Sequence, residues 1–168
     1  IIIGAKMGII NKLKSPSDVR KLKIEHLEAL AKELRAEILE TTTRNGGHLA
    51  SNLGMVETTV ALYHTFDFAK DKLIFDVGHQ GYVHKILTGR ATDFDTLRKY
   101  NGLSGFLKES ESEHDVFEAG HSSTAISAMT GFLEAKHTNI NTNTNTNTNT
   151  NSNSNANDRR TKTIGTTK

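Results

Sequence analysis

Residues 73–80 read Leu73-Ile74-Phe75-Asp76-Val77-Gly78-His79-Gln80, a short apolar run that leads into a polar, glycine-containing loop. A buried parallel strand has this form, and open α/β sheets place their ligands at the carboxyl ends of such strands. Two other stretches pair Gly with His: Gly46-Gly47-His48 upstream and Gly120-His121-Ser122-Ser123-Thr124 downstream. Glycine lets backbone N–H groups approach a ligand closely, and imidazole offers a donor, an acceptor or a proton near neutral pH. Three such loops point to one polar site.

Upstream of this region, Ser15-Pro16-Ser17-Asp18 reads as a helix start, with Ser15 as cap, Pro16 in the first helical position and Asp18 three residues after the cap. Ile24, Leu27, Leu30, Ala31, Leu34 and Ile38 recur at helical spacing and predict an amphipathic second helix that ends at Asn45-Gly46-Gly47. Ser51 or Asn52 caps a third, whose residues Met55, Val56, Val60, Ala61, Leu62 and Phe66 predict a buried element. His64 within it reads as a packed or partly exposed helix histidine. After the expected strand at 73–77, a short helix over 82–87 closes at Gly89, and another begins at Thr92 or Asp93 and carries Phe94 and Leu97. The acidic run at 109–115 reads as a solvated face, Val116-Phe117 as a second short strand, and 125–137 as a helix.

At 168 residues and net charge +2, with basic residues scattered, the chain makes no case for nucleic acid. It has no Cys, which excludes a disulfide framework and a thiolate metal site. The apolar start, Ile1-Ile2-Ile3 to Ile9-Ile10, is interrupted by Lys6 and is too short to span a hydrocarbon layer of ~30 Å, so no membrane segment is expected. The first residue is Ile, so 1–14 is expected to be a leader remnant or the edge of a fragment. From Thr138 to Asn157 the chain alternates Asn with Thr, Ser and Ala, and so polar a tract reads as a disordered insertion spanning 138–158.

Gly120-His121-Ser122-Ser123-Thr124 opens the helix at 125, where exposed N–H groups, hydroxyls and an imidazole make an anion site suited to a phosphate or diphosphate. Together the three loops fit a diphosphate-bearing ligand and a reacting carbonyl. The residues by themselves leave the chemistry open.

Gly46-Gly47-His48-Leu49-Ala50-Ser51-Asn52-Leu53-Gly54, Asp76-Val77-Gly78-His79-Gln80, His84-Lys85-Ile86-Leu87-Thr88-Gly89-Arg90, Gly102-Leu103-Ser104-Gly105-Phe106 and Glu111-Ser112-Glu113 followed by Gly120-His121-Ser122-Ser123-Thr124 occur in one order. In this the chain resembles the amino-terminal part of the 1-deoxy-D-xylulose-5-phosphate synthase family, thiamine-diphosphate transferases related to transketolase, from about Ser15 to about Lys136. The resemblance implies an α/β fold: part of a parallel-sheet thiamine-diphosphate-binding domain over 15–137, with helices on both faces. It implies that His79, Gly120, His121 and Ser122 contact thiamine diphosphate and that His48 acts at the substrate end, in proton transfer or hydrogen bonding. The reaction implied joins pyruvate to glyceraldehyde 3-phosphate with loss of carbon dioxide, the first step of non-mevalonate isoprenoid synthesis and a precursor step for thiamine. A transketolase-like enzyme with another donor, or a non-catalytic relative, would share the scaffold.

The chain departs from the family at Val83 and Leu107, where the family usually has Pro, and at His114, where Tyr is common. The Gly-Asp-Gly segment whose Asp holds Mg2+ is absent: Thr166 follows Ile164-Gly165, so no metal ligand is expected among these residues, and 159–168 reads as the start of a truncated continuation. The resemblance thus implies a fragment inactive alone, part of a homodimer when whole. The Asn-rich tract resembles insertions in apicomplexan parasites, implying a plastid for a parasite or plant protein and the cytoplasm otherwise.

Overall fold

The computed structural model describes residues 8–149. The chain divides into two compact units after Ser127, and the first contains all three glycine-histidine loops. Its helices are α1 (Pro16–Arg20), α2 (Ile24–Asn45), α3 (Leu49–Gly54), α4 (Val56–Thr65) and α5 (Tyr82–Lys85); α6 (Ala125–Asn149) starts at its end. No strand occurs among the described residues, so the expected parallel sheet and both expected strands, 73–77 and 116–117, are not formed there. A strand exists only against a partner that takes its backbone hydrogen bonds. Among the described residues, 73–77 has no such neighbour; the segment is irregular and bends at Asp76-Val77, with Phe75 buried and Leu73 packed on the core.

The helices form where local chemistry directs them. The Asp18 carboxylate accepts the N–H groups of Lys14 at 3.0 Å and Ser15 at 3.1 Å, and Pro16 occupies the first turn of α1. In α2 the buried stripe is Leu30, Ala31, Leu34 and Ile38, and it continues to Thr41 and Thr42, whose hydroxyl donates to the Ile38 carbonyl at 2.6 Å. Ile24 was expected on this stripe but is 78% exposed, because the first turn projects beyond the core. The core joins the α2 stripe to Val56, Val60 and Tyr63 of α4, Tyr82 and Val83 of α5, and Phe94 and Leu97. Only one face of α4 is buried: Phe66, just past its end, and Ala61 are exposed, and His64 is half-buried, its ring 3.3 Å from the Val19 carbonyl. α5 passes into a wide turn, Ile86–Arg90, closed by Gly89 at φ 94° as its sequence predicts.

The acidic run is not a solvated face throughout, since Asp115 is 1% exposed and Glu111 is largely covered. The Asp115 carboxylate accepts Nη1–H and Nη2–H of Arg90 at 2.8 and 2.7 Å, Nε2–H of His84 at 3.0 Å and the Lys108 N–H at 2.8 Å. Glu111 takes the buried Lys85 ammonium and the Ser104 N–H at 2.7 Å. Two cations and two carboxylates therefore neutralise each other beneath the surface. The His84 ring completes the set. Its Nδ1 lies 2.7 Å from the Tyr63 hydroxyl, so a neutral ring with the proton on Nε2 satisfies both contacts. Burial, opposed by Asp115, holds the His84 pKa below its ordinary value, in keeping with that tautomer.

α6 continues from 137 to Asn149, so the described part of the Asn-rich tract has a helical backbone where disorder was expected. Asn and Thr are poor helix formers, but extending an existing helix costs far less than starting one, and Thr138 begins the extension with its hydroxyl 2.9 Å from the Glu134 carbonyl. The remainder of the tract, from 150 to 158, and Ile164-Gly165-Thr166 lie outside the described residues.

Candidate active site

Gly46 at φ 75° and Gly47 at φ 148° turn the chain out of α2. A Cβ on Gly47 would stand 2.9 Å from the Tyr82 hydroxyl, so the turn can press against that ring only without a side chain. His48 then caps α3. The Tyr82 hydroxyl lies 3.3 Å from both the His48 backbone N and its ring Nδ1. Because a phenol has one proton, it accepts the backbone N–H and donates to Nδ1, leaving the proton of the neutral ring on Nε2. Burial, then His79, then Arg98 hold the His48 pKa below its ordinary value. At neutral pH this ring therefore presents an N–H donor.

His79 lies edge-on to His48, ring centroids 5.3 Å apart, and Phe106 meets His48 edge-on at 5.4 Å. The loop that carries His79 is strained: Val77 has φ 75°, rare for a β-branched residue, and Gly78 follows at φ 85°. Such a conformation costs on the order of 1–3 kcal/mol and persists only where its surroundings hold it. One such restraint comes from Asn52. Its fully buried side chain donates through Nδ2 to the carbonyls of His48 at 2.7 Å and His79 at 2.8 Å, and accepts the Tyr82 N–H on Oδ1 at 2.8 Å. Sequence reading offered Asn52 only as a helix cap, and an Asn among apolar neighbours in an amphipathic stretch was the available signal.

The Gly120-His121-Ser122 loop is exposed and joins the His79 loop through Asp76. The Asp76 carboxylate accepts the N–H groups of Ser123 at 2.9 Å, Thr124 at 3.1 Å and Ala125 at 3.3 Å. These N–H groups, the Ser123 one foremost, lower its pKa. The anion site expected at the start of α6 is thus filled at 123–125 by the chain's own carboxylate. A bound diphosphate would be left the side chains of His121 and Ser122. The structure brings His48 and His79 together and ties the 120–125 segment to Asp76.

Two polar atoms on adjacent residues, His79 Nδ1 and Gln80 Oε1, are buried without a hydrogen-bond partner. Unpaired buried groups are costly and rare in native proteins, and each of these two atoms is satisfied if a polar ligand completes it. Among the described residues no group of three or more His, Asp or Glu is placed to hold a metal ion.

Residues 10–148 match the family model described as 1-deoxy-D-xylulose-5-phosphate synthase. The chain belongs to that family. It is similar to the 1-deoxy-D-xylulose-5-phosphate synthase of Desulfitobacterium hafniense (strain DSM 10664 / DCB-2), 57% identical over 130 residues, which are 77% of this chain and 21% of that protein. The synthase of Heliobacterium modesticaldum is 57% identical over 128 residues, 76% of this chain and 20% of its own length. That of Listeria welshimeri is 58% identical over 125 residues, 74% and 20%. The chain therefore spans about a fifth of the length of the 1-deoxy-D-xylulose-5-phosphate synthases it matches. Among the described residues, no helix is long and apolar enough to cross a membrane.

Proposed function

We propose that this chain supplies part of the thiamine-diphosphate site of an enzyme that joins pyruvate to glyceraldehyde 3-phosphate with loss of carbon dioxide, forming 1-deoxy-D-xylulose 5-phosphate, the isoprenoid and thiamine precursor. The observation that carries this reading is the contact of His48 with His79, beside a buried and unpartnered Nδ1, in a chain of this family. Thiamine diphosphate supplies the electron sink that lets a 2-oxo acid lose carbon dioxide. The chain's own residues bind and orient. His79 contacts the cofactor through Nδ1. Gly120, His121 and Ser122 flank the diphosphate, with the turn behind them set by Asp76. His48 offers its Nε2–H as a hydrogen bond to the substrate oxygen, steadying the charge that builds there as the new bond forms.

The helical layer described here then covers one face of a parallel sheet whose strands, with the segment at 73–77, complete the α/β domain. Mg2+ belongs to residues other than those described, and the whole enzyme works as a homodimer. The Asn-rich tract supports a plastid location for a parasite or plant protein, and the cytoplasm otherwise.

The test is product analysis with carbon-labelled pyruvate and glyceraldehyde 3-phosphate in the full-length protein, with thiamine-diphosphate affinity measured for wild type and His79→Ala. Loss of one hydrogen bond of about 1–1.5 kcal/mol weakens cofactor binding roughly tenfold. No labelled five-carbon product from the wild type, or unchanged affinity in His79→Ala, overturns the reading.

A further inference from the structure

We infer that Asn52 is a positioning residue that fixes the spacing and tilt of His48 and His79 by clamping both peptide carbonyls with one amide. This rests on the proposed function, because it assigns those two rings to the substrate and cofactor ends of one site. The geometry is specific. Both Nδ2 protons are used, one on the His48 carbonyl and one on the His79 carbonyl, while Oδ1 holds the Tyr82 N–H. Tyr82 in turn holds the His48 ring and backbone through its hydroxyl. One buried side chain therefore ties the 48–52 segment to the 79–82 segment, 27 to 30 residues further along the chain, and both carry the candidate site. An amide is required: an ionised Asp cannot donate and a protonated one donates only once, Leu can neither donate nor accept, and either change leaves a buried carbonyl unpaired.

The loop restrained this way is under strain at Val77, so the clamp opposes relaxation of the His79 carbonyl. A displacement of about 1 Å at a reacting group lowers a rate on the order of 10²-fold. The role is distinct from substrate contact, since the Asn52 side chain is completely covered and spends its hydrogen bonds on the chain itself.

The full-length protein carrying Asn52→Asp and, separately, Asn52→Ala is compared with wild type. The Asp variant preserves shape and the acceptor for Tyr82 but sets a carboxyl against two carbonyls, whereas Ala removes every contact without adding charge; whichever variant stays folded at the assay temperature supplies the comparison. Per folded molecule, kcat is expected to fall roughly tenfold or more while KM for either substrate stays within about threefold. Nitrogen-resolved NMR titration of the imidazoles is expected to show the His48 and His79 signals moved in the variants without cofactor present. A merely structural Asn52 would lower the melting temperature and leave both kcat per folded molecule and the two imidazole signals unchanged, and that result overturns the inference. If the wild type forms no product from these substrates, the proposed function fails, while the imidazole signals still decide whether Asn52 sets the two rings.

Discussion

Replacing Asp115 with Ala removes the carboxylate on which Arg90, His84 and the Lys108 N–H converge and leaves the rest of the polar cluster in place. Arg90 keeps Thr88 at 2.7 Å and a longer contact to Glu111 at 3.3 Å, and Lys85 keeps Glu111. Two cations then face one anion in a region closed to water. Breaking a buried pair from one side costs about 3–5 kcal/mol, because the surviving charge stays desolvated and uncompensated. Hydrogen exchange in the full-length protein, read on peptides covering 82–90 and 103–115, reports the local opening free energy. At 1.36 kcal/mol per decade, the loss corresponds to exchange faster by roughly 10²- to 10⁴-fold. Asp115→Asn keeps the shape and an acceptor for the Lys108 N–H and is expected to fall between wild type and Ala. Acceleration below about fivefold in Asp115→Ala would refute the account of the cluster as mutually dependent charges.

Acidification tests the same cluster. His84 is held neutral by burial, so below its unfolded pKa of about 6.5 the unfolded chain binds a proton that the folded chain does not, and stability falls with pH. His48, lowered by burial, His79 and Arg98, acts in the same direction. Burial raises the Asp115 pKa, but Arg90 and His84 outweigh it and hold it well below the usual carboxylate range; its contribution is intact above about pH 4–5 and is lost as the pH drops further. A melting temperature that stays flat from pH 7.5 to 5.5 would argue against a neutral His84. Asp76→Asn weakens the charged cap on 123–125 and is expected to speed amide exchange there about 2- to 30-fold, the equivalent of 0.5–2 kcal/mol, while peptides in α2 stay unchanged.

Features set by neighbours in sequence are legible in the sequence itself. The Ser15 to Asp18 start, the α2 stripe from Leu30 to Ile38 and the closure at Gly89 each depend on residues within one or two turns. The pairing of His48 with His79 was legible as a hypothesis because both follow glycines at loop positions. What escaped depends on distant partners. Residues 73–77 have the composition of a strand, but a strand also requires a neighbour that the described residues do not provide. Asp115 looked solvated because its partners, Arg90 and His84, lie 25 and 31 residues earlier in the chain. Asn52 and Asp76 gain their roles only when packing brings their acceptors and donors together.

The cluster of Lys85, Arg90, Glu111 and Asp115 also bears on how such a chain can diverge over generations. A single reversal or loss of charge there passes through a poorly folded intermediate, whereas a matched change on both segments restores neutrality. Viable histories are therefore those in which the 84–90 and 111–115 segments change together, or in which stability gained elsewhere comes first. Inheritance at these positions is coupled by electrostatics across a gap of some twenty residues, within which Phe94, Leu97 and Leu103 are held by the core instead.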